Sequence, residues 1–426
     1  MQPSSATKIV PRIFLALLLA TPNLSATAQT FTVLHTFKGP DGAAPLGSLV
    51  LDSAGNIYGT TDVGGSGKDC PDFTFGCGTV FVLNKAGKEI ALYSFNGPNG
   101  AGPQSGLMRA ANSNFYGTTD EGGDYTGEGC SGGCGVAFRL NKTGNEIFYQ
   151  FKGVPDGFSP SGVPVEDSSG NFYGTTVNGG PPPGGLGTIF KIDPRGKETI
   201  LYSFTGGDDG CSPSAGVILD GAGNLYGAAF QGGSAFCDSG YGTIFEVDSS
   251  GRLSVIHTFG FGDGAYPDSV LLLDPQGNLY GTTEGGGSSS ECFSSTGCGT
   301  VFELSPQGNG IWTERVLYSF CSQPGCGDGL EPSGGVSRDA FGNLYGSTVF
   351  GGTYRNCNGD ACGVAYKLAP GGVETVLHDF TGGSDGAYPS GGLALDTAGN
   401  LYGGDEAGGA TCDVSGTCGV LFKIVP

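Results

Sequence analysis

The sequence predicts an all-β protein folded as a seven-bladed β-propeller with four-stranded blades. Three observations carry this expectation. A tyrosine recurs in near-identical surroundings at 58, 116, 173, 226, 280, 345 and 402, at intervals of 53 to 65 residues, a period that signals a propeller or a solenoid. Each repeat holds four short apolar runs and no helical pattern. The two ends of the chain supply complementary fragments of one repeat.

The repeat at 213–259 shows the elements in order: "GVILD" is strand A, "NLYGAA" strand B, "GTIFEVD" strand C and "SVIHTF" strand D. The runs are short, rich in Val, Ile, Leu, Phe and Tyr, and bounded by Gly, Asp, Ser or Pro, as strands are. No run of ten or more residues carries a 3.6-residue period. Turns such as "DSAGN" and "DPQGN" join A to B, with a shorter variant "ANSN" at 111–114, and turns such as "NKAGK" and "DSSGR" join C to D. Asp can cap such a turn with its side chain, and Gly takes positive φ without steric cost. The last repeat supplies A (391–396), B (400–403) and C (419–424), and then the chain stops. "FTVLHTF" at 31–37 is a strand D without a blade. It is expected to complete the seventh blade and remove the open edge. A solenoid, the rival architecture, leaves the two ends far apart and needs capping units.

Residues 1–28 read as a signal peptide: Lys8 and Arg12 lead, "IFLALLLA" is a short apolar stretch, and Ala26-Thr27-Ala28 is a small-x-small cleavage site. Eight apolar residues fall short of the roughly 20 that span a bilayer. The expected mature chain, 29–426, is one seven-repeat domain, secreted or periplasmic or cell-surface, with no membrane span. Of the 19 basic and 40 acidic residues, two basic and no acidic ones lie in 1–28, which leaves a formal charge of −23. That argues against nucleic acid as a partner, since phosphate binding relies on Lys and Arg. The 84 glycines follow no Gly-X-Y period, which excludes collagen. The 27 Phe and 17 Tyr recur at fixed places, so there is apolar surface to bury.

Fourteen cysteines in an exported chain predict disulfides. The spacing pairs Cys70 with Cys77, Cys130 with Cys134, Cys292 with Cys298, Cys357 with Cys362 and Cys412 with Cys418, each inside one B–C loop. Cys321 pairs with Cys326 inside a D–A loop. Cys211 and Cys237 remain, one in a D–A loop and one in the next B–C loop. Both kinds of loop leave a propeller on the same face, so all seven bridges are expected there. Zinc sites typically use C-x₂₋₄-C pairs converging with other ligands, and most of these spacings are longer and spread around a ring. No metal site is expected from them.

The histidines His35, His257 and His378 occupy one slot of strand D, filled by Tyr93, Tyr149, Tyr202 and Tyr318 in other repeats. Residues that exchange with Tyr around a ring read as packing elements, so no triad or cluster of three His is expected. The D–A loops share the pattern Asp/Asn-Gly-x-x-Pro. It yields a ring of Asp41, Asp156, Asp209, Asp263, Asp328 and Asp385, expected near the channel mouth, where it would offer oxygen ligands to Ca²⁺ or a polyhydroxylated ligand. The plain alternative is a turn followed by a stiffened strand entry. The departures from symmetry singled out are Arg109, Glu166 and Arg338 in a strand A slot that is Leu in four copies, Trp312 in a C–D turn, and Tyr266 and Tyr388 beside the Asp/Asn-Gly ring. Arg109 and Glu166 lie in adjacent blades and are candidates to pair. No nucleophile, base and oxyanion donor assemble, so no catalytic residue is expected, and no cofactor beyond the Ca²⁺ candidate.

The unit exemplified by "GTIFKIDPRGKETILYSFTGGDDGCSPSAGVILDGAGNLYGAAFQGG" (187–233) resembles the GloVer tandem repeat of exported bacterial proteins with a choice of C-terminal anchors. The resemblance covers essentially all of 30–426. It implies an exported or surface-associated protein and carries over no catalytic residue. No sorting tail follows the last repeat here, which favours a freely exported form. The hairpin "DxxGNxYG" is similar to that of NHL- and lactonase-type propellers, which supports the fold alone. The resulting expectation is a monomeric, non-catalytic propeller that binds an extracellular glycan or surface protein through its disulfide-stapled loop face. The alternative is an enzyme acting on a polysaccharide or lactone at the channel mouth. Near-identical loops and scattered odd residues favour the binder.

Overall fold

A computed structural model describes residues 29–426 apart from 69, 71–74, 128, 142–143, 182–184, 235, 290–291, 293–295, 358–360 and 410–417. Residues 1–28, the expected signal peptide, and Cys412 lie outside the described residues. Seven four-stranded antiparallel sheets form the propeller ring. Blade 1 consists of strand A Val50–Leu51, B Ile57–Thr61, C Thr79–Leu83 and D Glu89–Ser94. Blades 2 to 6 repeat this order. Blade 7 takes A, B and C from Ala394–Leu395, Leu401–Asp405 and Val420–Val425, and its strand D is the N-terminal Thr30–Thr36. That strand pairs antiparallel with Val420–Val425, from Thr30 opposite Val425 to Thr36 opposite Val420.

The A–B turn follows from three side chains. In blade 5 Asp274 Oδ1 accepts from the backbone N–H groups of Gln276 and Asn278, while Oδ2 accepts from the Asn278 amide and the Tyr280 hydroxyl. The same bonds recur from Asp52, Asp167, Asp220, Asp339 and Asp396. Gly277 holds the turn's left-handed position at φ 87°. In blade 2 the turn proves equal in length rather than shorter. Ser113 takes the glycine position at φ 66°, and Ala110 stands where the others have Asp.

The core is two interlocking rings of aromatics. Strand C supplies Phe81, Phe138, Phe190, Phe245, Phe302, Tyr366 and Phe422, and the end of strand D supplies Phe37, Phe95, Phe151, Phe204, Phe259, Phe320 and Phe380. All fourteen are at most 3% exposed. Each D ring meets the C ring of the next blade at 5.0–5.3 Å between centroids, with the planes inclined by 60–69°. Burying one such side chain contributes about 1.5–3 kcal/mol, and the tilted contact adds about 0.5–1.5 kcal/mol. The seams between blades are therefore the main apolar interfaces. The bulge seen where C pairs with D recurs in every blade and lets D bend away, half exposed, at the rim.

Candidate functional site

One face of the ring carries the D–A and B–C loops, bound to each other blade by blade. Bridges such as Ala43 with Val63, Cys211 with Gln231 and Ala265 with Gly285 tie them together. The residue before each D–A proline adopts left-handed φ in all seven blades: Ala44, Gly102, Ser159, Ser212, Tyr266, Glu331 and Tyr388 lie at 53–64°. Six of the seven are not glycine, so the backbone must be over-determined to hold them. Two hydrogen bonds supply that constraint. The N–H of Tyr266 donates to Tyr241 O of the preceding blade at 2.8 Å, and its carbonyl accepts from Glu284 N at 3.0 Å. In five blades the first of these acceptors is a cysteine carbonyl: Cys77, Cys134, Cys298, Cys362 or Cys418. This gives the position of those cysteines a physical reason, because each bridge fixes the carbonyl that the next blade hangs on.

The structure pairs Cys70 with Cys77, Cys130 with Cys134, Cys211 with Cys237, Cys292 with Cys298, Cys321 with Cys326 and Cys357 with Cys362. Cys418 is also disulfide-bonded, and no cysteine is free among the described residues.

The six loop aspartates are used by their own blades. Asp41 accepts from Lys38 N and meets His35 Nε2 at 3.1 Å, and Asp156 accepts from Lys152 N and the Tyr149 hydroxyl. Asp209, Asp263, Asp328 and Asp385 are held likewise, against Tyr202, His257, Tyr318 and His378. None of the six is among the residues that line the channel cavity. Arg109 and Glu166 do not pair among the described ion pairs. Arg338 instead lies 5.7 Å over the Tyr280 ring, and Trp312 packs edge-on against Tyr226 at 6.0 Å.

The channel opens on the loop face into a cavity of about 480 Å³ that every blade lines. Gly47, Gly162 and Gly334 let neighbouring backbones touch around it; a Cβ on Gly162 would lie 2.1 Å from Gly216 N. The side chains at its rim break the sevenfold symmetry. The slot after strand B holds Asp62, Asp120, Val177, Phe230, Glu284, Val349 and Glu406 in turn. Burial raises the carboxyl groups of Asp120, Glu331 and Glu406. Burial, then Asp120, pushes Asp62 up to about 6. Burial pushes Asp268 up to about 6, against a hydrogen bond from Ser214. Burial, then Asp268 and Glu331, pushes Glu284 up to about 8. The rim thus gathers carboxyl groups whose values burial and mutual repulsion raise.

Beside Glu284 lies an aromatic cluster. Phe230 and Tyr266 lie 5.3 Å apart, Tyr266 and Tyr241 6.4 Å, and Tyr241 and Phe261 5.7 Å between centroids. Tyr241 and Phe261 are exposed. Phe75, Tyr125, Phe236 and Tyr354 are further exposed aromatics in loops of this face. Sequence reasoning found Tyr266 and Tyr388 but missed Phe230 and the carboxylates. The signal was present: the motif "YGTT" is followed by Asp, Asp, Val, Glu in some repeats, and "YGAA" by Phe. A second set of departures from symmetry therefore meets at the rim, while Arg109, Glu166, Arg338 and Trp312 stay outside the channel cavity.

The profile of the Gloeobacter/Verrucomicrobia repeat matches residues 23–129 and 125–323. No curated protein matches the sequence. Among solved structures, the extracellular domain assigned to a hybrid two-component system of B. thetaiotaomicron overlays with TM-score 0.52 at 13% identity. The overlay covers 92% of this chain and 41% of that one, so this chain spans about two fifths of it. A fungal alcohol oxidase of the AA5 family, solved with copper, overlays with TM-score 0.55 at 12% identity, over 93% of this chain and 76% of its own. A gluconolactonase of Xanthomonas campestris gives TM-score 0.39 at 15% identity, over 68% of this chain and 78% of its own. At these identities the likeness concerns the fold alone.

Proposed function

The chain belongs to the Gloeobacter/Verrucomicrobia repeat family, and from that premise we propose that it is an exported propeller that binds an extracellular glycan on its loop face. The observation that carries this is the cluster Phe230, Tyr266, Tyr241 and Phe261, set beside the carboxyl group of Glu284 at the channel rim. Aromatic rings accept the apolar faces of sugars, and a carboxyl group can donate to and accept from their hydroxyl groups. The bridges support export, because disulfides persist in oxidising compartments. They also support binding, because the loops that carry the platform are ordered in advance and lose less entropy on association. Among the described residues no helix is long and apolar enough to cross a membrane.

A second reading rests on a separate observation. Glu284 near 8 and Asp268 near 6 are neighbouring carboxyl groups with displaced values, the arrangement used for acid–base chemistry. It makes the channel mouth the site of an enzyme acting on an extracellular polysaccharide. One experiment separates the two. Arrayed polysaccharides are probed with the full mature chain, and every ligand found is incubated with it and examined for chain shortening or unsaturated ends. Retention without turnover supports the binder; turnover lost in Glu284→Gln establishes the enzyme; no retention on any polysaccharide rules out both.

A further inference from the structure

The seams between blades repeat three slots: the His or Tyr of strand D, the Asp or Asn of the following loop, and the strand D residue of the next blade that pairs with the fifth residue of its strand C. Four seams place Glu in the third slot: Glu89, Glu198, Glu314 and Glu374. In all four, Oε1 is buried and has no hydrogen-bond partner. A buried carboxyl oxygen left unpartnered is costly, and the same orphan in four seams is a property of the slot rather than an accident.

The seams differ in what faces that oxygen. Beside Glu198 and Glu374 the first slot is Tyr149 or Tyr318, whose hydroxyl is donated to Asp156 or Asp328 at 2.7 Å. Where the first slot is His378, Phe31 fills the third and stacks on the imidazole at 3.6 Å. Beside Glu314, His257 Nε2 lies 3.3 Å from Asp263 Oδ2. At the seam between the closing strand and blade 1, the arrangement is tighter. His35 Nε2 lies 3.1 Å from Asp41 Oδ2. The ligand atoms of His35, Asp41 and Glu89 all fall within 4.8 Å of one another, the one such His-containing group among the described residues. His35 and Asp41 keep 18% and 24% of their side-chain surface exposed, so an ion has a path in from solvent.

We propose that His35, Asp41 and Glu89 bind one divalent transition-metal ion of the zinc class. One imidazole nitrogen and two carboxylate oxygens form a donor set suited to Zn²⁺, with an open coordination position for water. A purely oxygen-seeking ion such as Ca²⁺ has no use for the imidazole. The ion would join the strand that closes the ring to the first blade, at a site distinct from the channel rim and independent of whether the rim binds a glycan.

The test is calorimetric titration of Zn²⁺ into the chelator-treated, full mature protein, with Ca²⁺ as control. Three variants are measured alongside, with His257→Tyr as the control. His35→Tyr installs the residue that four other blades carry in this slot, and Glu89→Gln keeps the shape of the side chain; circular dichroism confirms the fold of each. One Zn²⁺ equivalent is expected in the wild type and in His257→Tyr. Binding is expected to weaken by at least about 100-fold in both His35→Tyr and Glu89→Gln, since even an outer-shell change costs 10- to 100-fold. Absence of Zn²⁺ binding in the wild type overturns the proposal, and so does an isotherm that neither substitution alters.

Discussion

Gly281 sits in strand B where a Cβ would lie 2.6 Å from the tip of the Phe302 ring and 2.9 Å from Leu271. The same approach recurs at Gly59, Gly117, Gly174, Gly227, Gly346 and Gly403. The glycine of the repeated Tyr-Gly pair is thus set by the aromatic ring beneath it and not by backbone freedom. Gly281→Ala is expected to destabilise by about 1–3 kcal/mol through overpacking, read by urea titration. Blade 7 breaks the position two residues on. Thr61, Thr119, Thr176, Thr283 and Thr348 each donate to the carbonyl two residues on, but Asp405 occupies that slot fully buried, with neither oxygen partnered. Burial, and then Asp385, pushes its carboxyl well above the ordinary value. A raised folded-state value means stability is full below the unfolded carboxyl value near pH 4 and falls as pH rises toward the raised one. Asp405→Thr is therefore expected to stabilise by about 1–3 kcal/mol at pH 8, with a smaller gain at pH 4. An equal effect at both pH values would contradict this account.

At the scale of elements, the strands and turns were legible because each is specified locally. The Asp of "DxxGN" caps its own turn, the apolar runs end at Gly or Pro, and all the cysteine spacings but that of Cys211 and Cys237 fit inside single loops. The seven left-handed residues before the D–A prolines were not legible, since only the neighbouring blade's carbonyl holds them there. The rim carboxylates were missed for a related reason. Their slot follows strand B directly and reads as an ordinary solvated loop residue until the ring brings all seven copies to one mouth. The bridges give a prediction at this scale. Cys211–Cys237 spans 26 residues and Cys357–Cys362 spans 5. Loop-closure entropy then gives about 3.5 kcal/mol for the first and about 2 kcal/mol for the second. Paired Ala substitutions followed by denaturant titration should show that order, and the reverse order would point to native-state packing in place of chain entropy.

At the scale of the molecule, one strand from the N-terminus completes the sheet whose other strands come from the C-terminus. Deleting residues 29–38 leaves Val420–Val425 as an open edge and removes Phe37 from the aromatic ring. The deletion is expected to lower the melting temperature by more than 5 °C and to promote association through the exposed edge. An unchanged transition in a monomeric product would show that the ring does not depend on this closure. The symmetric ring presents an asymmetric rim, and that contrast is the basis of the functional reading. The most direct measurement is retention of the mature chain on arrayed polysaccharides, compared with a Tyr241→Ala/Tyr266→Ala variant of unchanged fold. The expected result is retention on a defined glycan that falls at least tenfold in the variant, about 1.4 kcal/mol. Equal retention of both proteins would contradict a binding platform at the channel rim.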